Sequence, residues 1–439
     1  MSKSPILKTA KNFLSLTFLS AVNYLIPIII LPYVVRTVGI ENYGLVSYIF
    51  AFLIPVRILV DFGFNLSGVK EIALNKHNKE EASEILSKIV TSKILLLTIC
   101  AVVVTICGLF FIKTQANYWI LFFSFFVVVG QAMLPIWFYQ GVEETNILFL
   151  FSLISRAIYL CLIFFLVTSI NDFIYINACL AIADLFLCIF CYVHICFRYK
   201  LFIRFTSFKL CKKELQNNLP FAQTNIYMML CANIPFIILG FFANNLTLGY
   251  YAIADRVMQI IRTSVMILYN SIFPRILNLH IVSTRLFFIF IKKLTTSIVI
   301  IYSLSALLCY FFPNFLIRFL LNNKTFYPET YYILKILSLM PLFAALEIIP
   351  SHLLLLNKKQ KQYAKILLLA CFFCLSTSYI LINIFSYKGA AMSYLLTEFF
   401  ILISLLFVSK KELLILFLAK LSKVKKGKIA TIQNSRCEK

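Results

Sequence analysis

The sequence predicts an all-α, polytopic membrane protein of about twelve transmembrane helices, arranged as two six-helix halves related by a pseudo-two-fold axis. Three observations carry this expectation. Of 439 residues, 62% are hydrophobic and only 13% charged, whereas soluble domains run near half apolar and a quarter charged. Apolar runs of about 20 residues, the length that crosses a bilayer, recur along the whole chain. The 41 Lys and Arg residues fall in short stretches between those runs, the pattern of loops on one membrane face. The formal net charge of +24 therefore gives no argument for nucleic acid, since no soluble domain collects it.

Six spans are expected over 12–34, 43–64, 88–112, 118–139, 147–167 and 173–197. Six more follow over 219–242, 248–273, 286–312, 330–355, 363–385 and 390–408. The stretch 413–421 is apolar but too short to cross. Lys3, Lys8 and Lys11 precede the first run, which is longer than a signal-peptide core and reads as a retained span. Twelve spans put both termini on one face. That face receives most of the basic residues: the N-terminus, the loop before Lys88, 198–213, Arg275 with Arg285, 358–361 and the tail. The opposite face holds Arg36, Lys113, Arg318, Lys324 and Lys388, so the positive-inside rule makes the basic face cytoplasmic. The opposite loops are short, the longest being about 313–329, and none could build a soluble core. Function is expected among the helices.

The chain divides into a first half over 1–200, a basic linker over 201–216, a second half over 217–409 and a basic tail over 410–439. A faint repeat supports the division. "LPYVVRTVGIENYGLVSYI" from Leu31 matches "IPFIILGFFANNLTLGYYAI" from Ile234: a proline ends one span, a hairpin follows, and a glycine beside an aromatic opens the next. Span one matching span seven gives parallel repeats, whose axis runs along the membrane normal with the substrate site between halves.

Charges inside apolar spans are costly and normally have a partner, a water-filled cavity or a task. "RILVDFGF" places Arg57 and Asp61 four residues apart in span two, close enough to neutralise each other on one helix face. Arg156 in span five and Asp184 in span six are a second possible pair. Asp255, Gln259, Arg262 and Asn270 follow near-helical spacing in span eight, with Arg256 beside them, and form a polar stripe longer than one salt bridge explains. Glu347 in span ten and Glu398 in span twelve complete the set. Lys93 and Lys335 read as snorkelling side chains near span ends. A cationic cavity suits an anionic substrate, because arginine's planar fork binds phosphate oxygens and keeps its charge. Arg57, Arg156, Arg256 and Arg262 are thus candidate substrate ligands. Asp61, Asp184, Asp255, Glu347 and Glu398 are candidates for ion coupling or charge pairing.

The 13 cysteines include two C-x-x-C pairs, Cys188 with Cys191 and Cys371 with Cys374. They lie in apolar runs without further ligands and read as packing residues, so neither metal nor cofactor is expected. No phosphate-binding glycine loop, H-E-x-x-H, G-x-S-x-G or D-x-D pair occurs, which argues against a motor ATPase, a glycosyltransferase and an enzyme generally.

The stretch "LPYVVRTVGIENYGLVSYIFAFLIPVRILVDFGFNLSGVKEIALNK", followed by "ASEILSKIVTSKILLL", resembles the opening of bacterial O-antigen and polysaccharide repeat-unit flippases. These are the Wzx-type branch of the multidrug/oligosaccharidyl-lipid/polysaccharide exporter superfamily. Pro32-Tyr33, Val38-Gly39, Tyr43-Gly44 and Asp61-Phe62-Gly63 carry the likeness, and "LGYYAIADRVMQIIR" from Leu248 resembles the second-half element. The resemblance implies a MATE-like fold in the bacterial cytoplasmic (inner) membrane. It implies alternating-access transport of undecaprenyl-pyrophosphate-linked oligosaccharide, with membrane lipids, a polysaccharide polymerase and chain-length machinery as further partners. A multidrug or cation exporter of the same superfamily and a membrane polysaccharide polymerase remain as alternatives.

Overall fold

The computed structural model describes residues 5–111, 115–282, 284–321, 327–357 and 359–410, and every regular element in them is a helix. In the first half these are α1 (Pro5–Asp61), α2 (Phe64–Asn75), α3 (Lys79–Phe111), α4 (Gln115–Met133), α5 (Ile136–Gly141), α6 (Thr145–Leu166) and α7 (Tyr175–Tyr199). The second half holds α8 (Phe208–Phe242), α9 (Asn245–Val282), α10 (Thr284–Phe311), α11 (Pro313–Leu321), α12 (Pro328–Leu337), α13 (Met340–Leu346), α14 (Ile348–Leu356), α15 (Gln360–Phe385) and α16 (Tyr387–Val408). Ten helical segments of the described residues are long and apolar enough to cross a membrane. The first arm of α1 and the more highly charged α9 supply the other two expected spans. Large side chains such as Phe165 at 80% and Phe407 at 78% exposure cover the outside, as a lipid-facing surface requires.

Spans one and two are the two arms of α1. They meet at Gly39, whose φ of 83° and ψ of 162° lie where only glycine is unstrained. The hairpin expected there thus contracts to a kink. Phe62 and Gly63, with φ of 43° and 81°, break the chain again and start α2 where a loop was expected. Pro135 splits span four into α4 and α5 by withholding a backbone donor. Span ten is not one helix, as the apolar run suggested, but α12, α13 and α14, with Glu347 at the joint between the last two. The expected outward loop over 313–329 likewise contains α11.

The largest buried cluster joins the halves, drawing Val38 and Tyr43 from α1, Leu248 and Tyr251 from α9, and Leu320 from α11. Two glycines let the backbones approach. A Cβ on Gly44 would collide with the Asn245 carbonyl and Gly249, and one on Gly249 would collide with the Ile40 carbonyl. Gly44 and Gly249 are the matched positions of the sequence repeat, so equivalent residues of the two halves touch each other, as residues on a pseudo-two-fold axis do. This closure lies at the Gly39 end of the molecule.

At the other end, the segment after α7 runs extended along α3 rather than free in solution. The Ser83 hydroxyl accepts from Phe202 N at 3.2 Å, Ser87 from Arg204 N at 3.0 Å and Thr91 from Thr206 N at 3.3 Å. Hydroxyls spaced four residues apart on one helix face thus match alternate amides of an extended chain.

Candidate functional site

α1 and α9 occupy equivalent places in the two halves, and each carries arginine toward the middle. The interval from Gly44 to Arg57 equals that from Gly249 to Arg262, which sets the two arginines at one depth. Arg256 lies about 9 Å nearer the Gly39 end, at 1.5 Å per residue.

Arg57 Nη1 donates to Gln131 Oε1 at 3.0 Å, and Gln131 Nε2 donates to Asp184 Oδ2 at 2.8 Å. Arg156 Nη2 meets the other oxygen, Asp184 Oδ1, at 2.8 Å. The Gln131 amide therefore relays between Arg57 and a carboxylate already paired with Arg156. Arg156 at 7% and Asp184 at 2% exposure form a desolvated ion pair. Gly130 permits it: a Cβ there would stand 2.8 Å from the Asp184 carbonyl carbon, so α4 and α7 need glycine to come this close.

Arg57 and Asp61 do not pair, contrary to the expectation from their spacing. Asp61 ends α1, where the Phe62-Gly63 break redirects the chain, and its Oδ1 accepts from Lys93 Nζ at 3.0 Å. Lys93 also donates to the Ala132 carbonyl at 2.8 Å and is 0% exposed. It is a buried counter-ion and not a snorkelling side chain. With Asp61 satisfied by Lys93, the Arg57 guanidinium donates to a neutral amide.

In the second half, Arg262 Nη2 pairs with Asp255 Oδ1, while Nη1 donates to Tyr394 Oη at 2.8 Å. Gln259 Nε2 donates to Asp255 Oδ2 at 2.9 Å and Gln259 Oε1 accepts from Arg256 Nη1 at 2.9 Å. Arg256 Nε reaches across to Tyr43 Oη of the first half at 3.2 Å. Asp255, Gln259 and Arg262 thus act as one stripe; the side chain of Asn270 lies outside the described residues. The side chains of Arg262 and Asp255 retain 23% and 30% accessibility, so water reaches them between the helices. Tyr159 stands within electrostatic reach of both Arg156 and Arg256 and links the two networks.

Glu398 lies near Tyr394 and Arg262 and is the charged neighbour of Glu347 at the α13–α14 joint. Glu347 Oε1 and Arg262 Nε are buried without a hydrogen-bond partner. Unsatisfied buried groups of this kind mark places for a ligand, an ion or ordered water. No cluster of metal-ligating side chains occurs among the described residues.

Of the nine sequence-predicted residues, Arg57, Arg156 and Asp184 share one hydrogen-bonded network, Asp255, Arg256 and Arg262 share a second with Glu398 and Glu347 beside it, and Asp61 stands apart with Lys93. Sequence reasoning missed Lys93, Gln131, Tyr43, Tyr159 and Tyr394. Gln131 had a signal, being a lone amide in an apolar run beside a glycine, and Tyr43 stood in the Tyr43-Gly44 motif of the repeat; Tyr159 and Tyr394 had none, among 23 tyrosines in the chain.

Residues 9–280 match the polysaccharide biosynthesis protein family. A protein of Escherichia coli (strain K12) described as "Putative O-antigen transporter" is 27% identical over 418 residues, covering 93% of this chain and 99% of the relative. One of Shigella dysenteriae with the same description is 31% identical over 164 residues, covering 37% of this chain and 41% of the relative. Among solved structures, an inward-facing multidrug resistance MATE family transporter of the MOP superfamily superposes with a TM-score of 0.62 at 12% identity, covering 89% of this chain and 98% of that one. A MOP superfamily transporter from Pyrococcus furiosus gives 0.63 at 12% identity, covering 92% and 96%. The chain is therefore a multi-pass membrane protein with the MATE-like fold, and it belongs to the polysaccharide biosynthesis protein family.

Proposed function

We propose that this protein is a flippase that moves undecaprenyl-pyrophosphate-linked oligosaccharide from the cytoplasmic to the periplasmic leaflet of the bacterial inner membrane. The observation that carries the reading is the pair Arg57 and Arg256. Their hydrogen-bond partners are neutral, Gln131 for one and Tyr43 with Gln259 for the other. Each guanidinium has further N–H donors for phosphate oxygens. Lys93, Arg156 and Arg262 are instead tied to Asp61, Asp184 and Asp255. In this reading the basic face with both termini is cytoplasmic, the Gly39 end is periplasmic, and the halves are closed at the periplasmic end. The sugar head group enters between the halves from the cytoplasm, Arg57 and Arg256 take the pyrophosphate, and the prenyl tail stays in lipid. Rocking about the Gly44–Gly249 contact then opens the opposite end. Glu347 at the α13–α14 joint and its charged neighbour Glu398 on α16 are where a proton or sodium ion would couple, because a cation there offsets their repulsion.

A multidrug exporter shares this fold. What favours an anionic substrate is that two intramembrane arginines have neutral hydrogen-bond partners, one of them, Arg256, at the contact between the halves. Deleting the gene should cause lipid-linked sugars to accumulate on the cytoplasmic side, read by chemical analysis of the lipid fraction. Arg57→Ala and Arg256→Ala should each reduce surface polysaccharide at least tenfold at unchanged protein level, and Arg57→Lys should retain partial export. Lys365→Ala, on the exposed side of α15, should be neutral. Full export by both arginine-to-alanine variants would remove the basis of the proposal.

A further inference from the structure

A second cationic site lies at the Lys200 end, apart from the central networks. It is a cleft of about 330 Å³ lined by Lys76, His77 and Lys79 from the α2–α3 turn and by Arg198 and Lys200 from the end of α7. The backbone holds both rims. Asn78 Oδ1 accepts from Glu80 N at 3.1 Å and begins α3, and Lys200 ends α7 in the left-handed conformation with φ of 55°. The cleft also has an apolar lining, with Phe138 and Leu201 buried. The carboxylate nearest Arg198 is Glu144, 3.7 Å from its Nε and already accepting from the Tyr199 hydroxyl at 2.8 Å.

The surroundings say what kind of anion fits. Leu74 at 73%, Phe197 at 81% and Phe202 at 64% exposure flank the cleft at the level where the spans end. Exposed apolar side chains beside a recess of cations, at a helix-end level, belong to the headgroup zone of a bilayer. A soluble phosphate would have no use for that apolar rim. The geometry points to a binding site for the phosphate of an anionic phospholipid in the cytoplasmic leaflet, with the acyl chains against Leu74, Phe197 and Phe202. Basic pockets between helices on that face take anionic headgroups in this way.

The lipid would sit on one half only, because the α2–α3 turn, the end of α7 and the extended segment bonded to α3 all belong to the first half. It would hold that segment against α3. Assigning this face to the cytoplasm rests on the orientation proposed above, but the binding itself does not. A failure of the flippase reading therefore leaves this test intact.

The test is native mass spectrometry of purified protein in detergent, titrated with phosphatidylglycerol, phosphatidylcholine or inorganic pyrophosphate. Phosphatidylglycerol should bind in preference to phosphatidylcholine. The double variant Lys76→Gln with Lys200→Gln should weaken it about 25-fold, at roughly fivefold for each cation removed. Lys365→Gln, in the same face of the other half, should leave it unchanged. Both altered lysines are exposed; should the double variant express poorly, Lys79→Gln alone should give about a fivefold loss. Equal phosphatidylglycerol affinity in wild type and double variant overturns the site. Tighter binding of pyrophosphate than of phosphatidylglycerol, lost in the same variants, overturns the lipid as its occupant.

Discussion

Lys93 and Arg57 lie in neighbouring spans, yet they predict opposite phenotypes. Lys93 is fully buried and bonded to Asp61 and to a main-chain carbonyl. Losing either partner leaves an uncompensated charge in a low-dielectric site, which costs about 3–5 kcal/mol. Asp61→Ala and Lys93→Met should each lower folded yield in the membrane. The double variant Asp61→Leu with Lys93→Met should recover most of it, since replacing a buried pair by apolar groups of similar size is often neutral. Arg57→Ala removes only a bond to a neutral amide and should fold nearly as well as wild type while export fails. Detergent-resistant folded protein, measured by size-exclusion chromatography, separates the two classes. Poor yield in Arg57→Ala that Asp61→Ala repairs would instead restore the pair that "RILVDFGF" suggested. That suggestion came from spacing, which sees one helix; Lys93 is a neighbour supplied by another.

At the scale of elements, the apolar runs made the number of spans legible, because lipid demands length and composition whatever the tertiary packing. The breaks were less so. Gly39, Gly63 and Pro135 are visible punctuation, and two of them sit in motifs the sequence already singled out. The joint at Glu347 has no glycine, and its φ of −68° and ψ of −19° are ordinary, so hydropathy alone reads α12 to α14 as one span. The repeat glycines did carry information: a glycine beside an aromatic in both copies is the place where the copies meet. Gly249→Leu should push α9 away from Ile40 and open the Gly39 end. Tyr43, 6% exposed in the native protein, reports this. A Tyr43→Cys substitution should react slowly with an impermeant maleimide in the parent and at least tenfold faster with Gly249→Leu added. Equal labelling rates would mean that the glycine contact does not seal this end.

For the whole molecule, the two halves present matched arginines on equivalent helices, joined by Arg256 reaching to Tyr43 across the interface. Most of the charges that lie inside were legible, since buried charge is rare in spans, with Lys93 the exception. How they are shared between halves was not, because pairing depends on helix rotation and crossing that no run of hydropathy records. Two networks that meet in the middle and a closure at one end are what a rocking transporter needs, and the closure offers a direct test. Asn42 on α1 and Leu246 on α9 line the same cleft of about 440 Å³ at the Gly39 end. Cysteines placed at both positions can be bridged by a short, membrane-impermeant bis-maleimide added to intact cells after permeabilising the outer membrane. If transport requires the halves to part there, bridging should abolish export of new polysaccharide while each single cysteine, treated with the same reagent, keeps it. A reducible cross-linker at the same positions should stop export reversibly, with export returning on addition of a thiol, so that simple damage by the reagent is separated from locking. Undiminished export by the bridged protein would mean that substrate passes without opening at the Gly39 end. It would then have to move along the lipid-facing surface of one half rather than between the two.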